Sequence, residues 1–263
     1  MDLGLTGRVA IVAAASKGLG RAVALELARE GADVTICARS EANLATAVET
    51  IRQATGRTVV SAALDVTDAQ AVAEMVAGVE QRTGRVDICV TNAGGPPSKP
   101  FLETSLAEWR AAAELTLMSA VSFAREVLPH MQKNRWGRLI TITSMSVKQP
   151  IDGLMLSNSL RAGVTGMART LANEFGPHGI TINNVCPGSI RIERLETLYG
   201  ERARKEGVSR EAVFTKLASQ IPVGHIGTPE EFAAVVAFLA SERASYVNGT
   251  TILVDGGYVR SLF

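Results

Sequence analysis

The stretch RVAIVAAASKGLGRAVALELAREGADVTICARS, residues 8–40, decides the fold. It opens on a run that is apolar on both faces, RVAIVAA (8–14), short and β-branched enough for a buried strand. A turn carrying Gly18 and Gly20 follows. Apolar residues then recur at helical spacing through GRAVALELAREG (20–31), and a second apolar run, DVTICA, fills 33–38. Strands apolar on both faces and joined by a helix belong to a parallel sheet covered on both sides.

The same rhythm runs through the chain. A helix is expected at about 41–54, a strand in TVVSAALDV (58–66), a helix at about 68–83 and a strand in VDICVTNAG (86–94). A long helix near 105–132, RLITITS (138–144), a helix at about 154–176 and ITINNVCPG (180–188) come next. A polar, mobile-looking segment at 189–210 precedes a helix near 229–241 and the run TTILVDGG (250–257). The expected fold is α/β, a doubly wound (Rossmann) parallel sheet of about seven strands with helices on both faces. No linker, repeat or low-complexity tract divides the chain, so 1–263 reads as a single domain.

Composition narrows the function. The 263 residues are 46% hydrophobic, ample for a large core, and 27 Lys plus Arg balance 26 Asp plus Glu to a net charge of +1. Without a basic run, nucleic acid is not an expected partner. Cys37, Cys89 and Cys186 each end an apolar run far from the others, a pattern of buried reduced thiols. No leader pattern or run of eighteen apolar residues appears, so a soluble, cytoplasmic protein without a membrane partner is expected. His130, His178 and His225 share no ligand spacing, and no metal site is expected.

Glycines at the first strand-to-helix junction permit a tight turn and let backbone N–H groups approach a pyrophosphate at the positive end of the helix. Taken with NAG (92–94), PG (187–188) and VDGG (254–257), the turn AAASKGLG (13–20) resembles the short-chain dehydrogenase/reductase family, in particular its subgroup of 3-oxoacyl-carrier-protein reductases. The resemblance spans essentially the whole chain. It implies a dinucleotide held by Ala14, Ser16, Lys17, Gly18, Leu19 and Gly20 in the turn, with Asp65 and Val66 flanking the adenine. It also implies that Asn92, Ala93 and Gly94 lie near the ribose, and Pro187, Gly188 and Ile190 beside the cofactor. One departure stands in the turn itself, where the family's Thr-Gly is Ala13 and Ala14. The end of the second strand, CARS, carries no carboxylate to accept hydrogen bonds from a ribose and repel a 2'-phosphate. Arg39 and Ser40 stand there instead, and Arg39 with Lys17 can pair with that phosphate, which favours NADPH over NADH. The alternative is that Arg39 is a solvated loop residue.

Members of this family use Asn, Ser, Tyr and Lys, the last two spaced Tyr-x-x-x-Lys on one helix. The phenol donates the proton and the ammonium lowers its pKa from about 10. By this resemblance Ser144 is the family serine. Thirteen residues on, at the tyrosine position, stands Ser157; four further, at the lysine position, stands Arg161; and Thr116, seven after Trp109, takes the asparagine position. An alkyl hydroxyl is a far weaker acid than a phenol, and a guanidinium does not deprotonate in proteins. Arg161 can still keep positive charge beside the ribose, or it and Ser157 can merely pack. Tyr199, in the segment that covers substrate in this family, can enter from above. Lys148, four residues after Ser144, is a candidate acid or oxyanion partner, or a solvated loop lysine. Arg191 and Arg194 lie on the implied substrate lid, about 189–220, and either hold an anionic substrate or are surface charges.

Two functions follow. One is an NADPH-dependent oxidoreductase acting on a small carbonyl or enone-type molecule with an altered proton relay. The other is a catalytically silent descendant that binds a nucleotide or a partner. The resemblance further implies a homotetramer built on the helices at 105–132 and 154–176 and the C-terminal strand region.

Overall fold

A computed structural model describes residues 2–262, apart from the side chains at 194, 198, 201 and 202. Seven parallel strands form one sheet in the order β3-β2-β1-β4-β5-β6-β7. They are β1 (Val9–Ala13), β2 (Asp33–Ala38), β3 (Val60–Ala63), β4 (Ile88–Thr91), β5 (Gly137–Ile142), β6 (Ile180–Pro187) and β7 (Thr251–Val254). Successive residues of β1 point to opposite faces. Ala10 and Val12 join a core with Leu27, Ile51 and Phe232. Val9, Ile11 and Ala13 join another with Val76, Phe123 and Ala168. The first core is roofed by α1 (Gly18–Arg29), α2 (Glu41–Thr55) and α9 (Pro229–Ala240), the second by α3 (Ala69–Thr83), α5 (Ser119–Asn134) and α6 (Met155–Phe175). The sheet is covered on both faces, as strands without a polar face require.

Local signals fix the helix ends. The Ser40 and Asp68 side chains accept from backbone N–H groups in the first turns of α2 and α3, and Gly56 and Gly84 close those helices in the left-handed conformation. Thr228 and Glu231 form a reciprocal capping box at the start of α9, with Pro229 in its first turn.

The strands are mostly shorter than the apolar runs that announce them: the run 58–66 yields four residues of strand and 86–94 another four. Two helical expectations need larger corrections. The helix near 105–132 consists of α4 (Leu106–Ala113), a π turn at Glu114–Met118, and α5. The segment 189–210, read as polar and mobile, holds α7 (Glu193–Glu206), and α8 (Arg210–Ala218) follows it. Capping by Ser209 and an acidic first turn in α7 are the local reasons for helix there.

The chain order reverses between β1 and β4, since β1 pairs with β2 on one side and with β4 on the other. That switch opens a crevice at the carboxyl ends of these strands, where ligands bind in sheets of this kind. Cys37, Cys89 and Cys186 are buried and free, as expected. Among the described residues no helix is long and apolar enough to cross a membrane.

Candidate active site

The glycine turn leaves β1 through Ala14, whose φ of 49° lies in the left-handed region. Gly18 has φ 56°, and a Cβ on Gly20 would come within 2.5 Å of the Ala14 carbonyl oxygen. Only glycine lets α1 start this close to the strand, and N–H groups at a helix start of this kind are suited to an anion. Ser16 and Leu19 are half-buried in the turn and Lys17 is exposed. Asn92 donates through Nδ2 to the Ala14 carbonyl at 3.5 Å, so the end of β4 is tied to the turn. Ala93 is half-buried beside it and Gly94 exposed. Arg39, just past β2, is exposed and has no hydrogen bond or ion pair among the described residues. The Ser40 hydroxyl is engaged as the α2 cap, accepting from Asn43 N–H at 3.3 Å. Asp65 accepts from the backbone and hydroxyl of Thr67 at 3.0 and 2.9 Å, and Val66 is buried.

The PG and VDGG motifs meet. Gly188 N–H donates to the Val254 carbonyl at 2.9 Å, and a Cβ on Gly188 would strike Asp255 at 2.5 Å. Asp255 in turn accepts from Gly257 and Val259 N–H, closing the turn after β7. Pro187 is half-buried at the end of β6, and Ile190 is buried and bridged to Gly227. These glycines are packing requirements of the sheet end, and they bring the second half of the chain to the same crevice.

Ser144, two residues past β5, caps a short 3₁₀ turn at Met145–Val147, with its Oγ accepting from Ser146 N–H at 3.1 Å. Lys148 closes that turn and is half-buried. The Thr143 hydroxyl, just before Ser144, meets the Cys186 sulfur at 3.1 Å. Burial pushes the Cys186 thiol up, while hydrogen bonds from the Thr143 hydroxyl and the Ser144 backbone, together with the charges of Lys148 and Arg161, pull the other way. Lys148 closes the turn that Ser144 caps, and Arg161 is bonded to the carbonyls just before it, which places all three at the carboxyl end of β5.

Ser157 and Arg161 lie on one face of α6, and both are buried. The Ser157 hydroxyl makes no hydrogen bond among the described residues. Arg161 donates through one guanidinium nitrogen to the carbonyls of Ile142 and Thr143, at 3.0 and 2.8 Å. The two carbonyls end β5 immediately before Ser144, so the guanidinium ties α6 to the base of the Ser144 turn. Thr116 sits in the π turn with its hydroxyl buried and unpartnered among the described residues. It shares with Thr91, Asn92, Ser119 and Arg161 a cavity of about 10 Å³, the room of a single water at most. Thr116 thus meets Arg161 at this cavity, and Arg161 reaches the carbonyls just before Ser144.

In the segment 189–220, Arg191 pairs with Glu196 at 3.0 Å and stacks over Phe214, whose ring also packs against Tyr199 with centroids 5.8 Å apart. Tyr199, on α7, thus packs against α8. The Arg194 side chain lies outside the described residues. Cys186 was not singled out for the site by sequence, although its place just before Pro187-Gly188, at a strand's carboxyl end, is where such residues gather. Glu193 was likewise not singled out by sequence, and the fold brings its Oε2 to 3.3 Å from Lys17 Nζ.

A family model described as enoyl-(acyl carrier protein) reductase matches residues 13–259. The chain belongs to the short-chain dehydrogenase/reductase family. It is 37% identical over 259 residues to the 3-oxoacyl-[acyl-carrier-protein] reductase FabG of Pseudomonas aeruginosa, covering 98% of this chain and 100% of that one. It is 35% identical over 249 residues to the short-chain reductase protein NovJ of Streptomyces niveus, covering 95% and 93%. Among solved structures, L-sorbose reductase from Gluconobacter frateurii complexed with NADPH and L-sorbose superposes with a TM-score of 0.95 at 31% identity over the full length of both chains. An actinorhodin polyketide ketoreductase with NADPH gives 0.90 at 30% identity, covering 95% of this chain and 97% of that one.

Proposed function

We propose that the protein is an NADPH-dependent oxidoreductase that reduces a small carbonyl or enone-type molecule without a phenol in its proton relay. The observation that carries this reading is the gathering of Ser144, Lys148 and Arg161 about the end of β5, beside a glycine turn shaped for a pyrophosphate. The cradle at Gly20 fits a dinucleotide, since any side chain there would fill it. Lys17 and Arg39 would hold the 2'-phosphate, and the chain's full-length similarity to reductases solved with NADPH supports that choice. Bound there, NADPH supplies a hydride.

The chain's own residues must then manage charge on the substrate oxygen. Ser144 Oγ–H and the Lys148 ammonium can both donate to it. Arg161 cannot give up a proton and already donates to two carbonyls, so it acts as a fixed charge and a tie. Ser157 can orient a polar group but is too weak an acid to replace a phenol. This set suits conjugate reduction better than ketone reduction, because an enolate asks only for hydrogen bonds at oxygen while the α-carbon takes its proton from water. Residues 189–220, now seen as α7, α8 and the segments around them, would form the substrate lid.

Lys148→Ala should lower turnover about 100-fold with little change in NADPH affinity, the loss expected on removing one oxyanion donor. Full activity in that variant, measured by NADPH oxidation, would remove Lys148 from the mechanism. We further propose a homotetramer. Exposed Leu102, Leu106, Met118 and Met155 lie on and around α4, the π turn and the start of α6, while Ala162, Gly163 and Gly166 leave part of α6 smooth and accessible.

A further inference from the structure

The Lys17 ammonium, the cation of the phosphate turn, already faces a carboxylate. Its Nζ lies 3.3 Å from Oε2 of Glu193, at the first turn of the lid helix α7, and the two side chains are 53% and 74% exposed. The pairing is built into the fold. Arg191 N–H donates to the Gly227 carbonyl at 2.8 Å and Gly227 N–H to that of Ser189 at 3.0 Å, which pins the strand of lid leading into α7. Ile192 then packs on the first core and lies over Gly18, with Cγ2 3.7 Å from where a Cβ would be. Two consecutive residues of the lid thus rest on two consecutive residues of the turn, Ile192 on Gly18 and Glu193 on Lys17.

Resting on the reading of Lys17 as a phosphate ligand, we infer that Glu193 is a specificity-determining residue that competes with the cofactor's 2'-phosphate for Lys17. The end of β2 lacks the acid that would discriminate against that phosphate, whereas Glu193 brings one to the same cation from the lid. A dianionic phosphate meets repulsion from the Glu193 carboxylate and must displace it from the ammonium. A cofactor with a bare ribose hydroxyl meets neither obstacle. Glu193 therefore narrows the preference for NADPH over NADH, and NADPH displaces the Glu193 carboxylate from Lys17 while the start of α7 stays in place.

The test is the dissociation constant of NADPH and of NADH, by nicotinamide fluorescence, for the wild type, Glu193→Gln, Lys17→Met and the double variant. Glu193→Gln should tighten NADPH about two- to five-fold, the scale of an exposed pair, and move NADH by less than about 1.5-fold. With Lys17→Met in place, the same substitution should lose its selective effect. Equal changes for both cofactors, no change for either, or an undiminished effect without Lys17 would overturn the role of Glu193. If Lys17→Met alone left NADPH affinity intact, or the wild type bound neither cofactor, it is the reading of Lys17 that would fall, taking the inference with it. Both side chains are exposed, so the variants are expected to fold, and their melting curves check this.

Discussion

Ala14 shows what a single methyl does in the phosphate turn. Its φ of 49° is a conformation that disfavours any Cβ, and the family's glycine would adopt it freely. The turn keeps its shape with alanine because Asn92 donates to the Ala14 carbonyl and Ala15 N–H donates to that of Cys37. Ala14→Gly should therefore stabilise the protein by up to about 1 kcal/mol, the relief of strain exceeding the entropy gained by the unfolded chain. Thermal unfolding followed by circular dichroism would show a higher midpoint, and a lower one would mean that the methyl packs favourably. The weak acidity of Ser157 and the fixed charge of Arg161 follow at this scale from residue type alone. What residue type could not show was where the Arg161 guanidinium goes: to the Ile142 and Thr143 carbonyls, which exist as acceptors only once β5 has ended beside α6.

Elements were legible in proportion to their periodicity. The strands at 33–38 and 180–187 and the helices α2, α3, α6 and α9 stand within a residue or two of where apolar spacing puts them, because each buries a face in one of the two cores. The segment 189–220 was not legible. α7 is strongly polar on average, with a short apolar stripe of Leu195, Tyr199 and Ala203, and its start is set where Ile192 packs on the first core. The π turn at Thr116 escapes for a different reason. One extra residue in a helical run leaves no mark on composition, yet it sits where a buried hydroxyl and Arg161 share a cavity. Both misses lie where tertiary contacts override local pattern.

At the scale of the whole molecule, the sheet places every motif at one crevice and leaves two surfaces to be explained. Residues of α6 divide between them: Leu156, Val164, Ala168 and Ala172 face the core, while Ala162, Gly163 and Gly166 are exposed. Small exposed residues allow a second helix to approach closely, and the apolar Met118 and Met155 are exposed as well. Half-buried β7 at the sheet edge, with Tyr246 wholly exposed nearby in sequence, offers a second contact. Sedimentation at micromolar concentration should give a tetramer, and a monomer there would contradict the proposed assembly. The central claim, however, is that a site without the Tyr-x-x-x-Lys pair still passes hydride. Its most direct test is to supply NADPH deuterated at the transferable position of the nicotinamide ring with a panel of ketones and enones, and to follow deuterium by mass spectrometry. The account predicts deuterium in the product of at least one enone, at a rate that falls in Lys148→Ala. Tight NADPH binding with no deuterium in any product across the panel would contradict it and leave a nucleotide-binding protein that has given up the reaction.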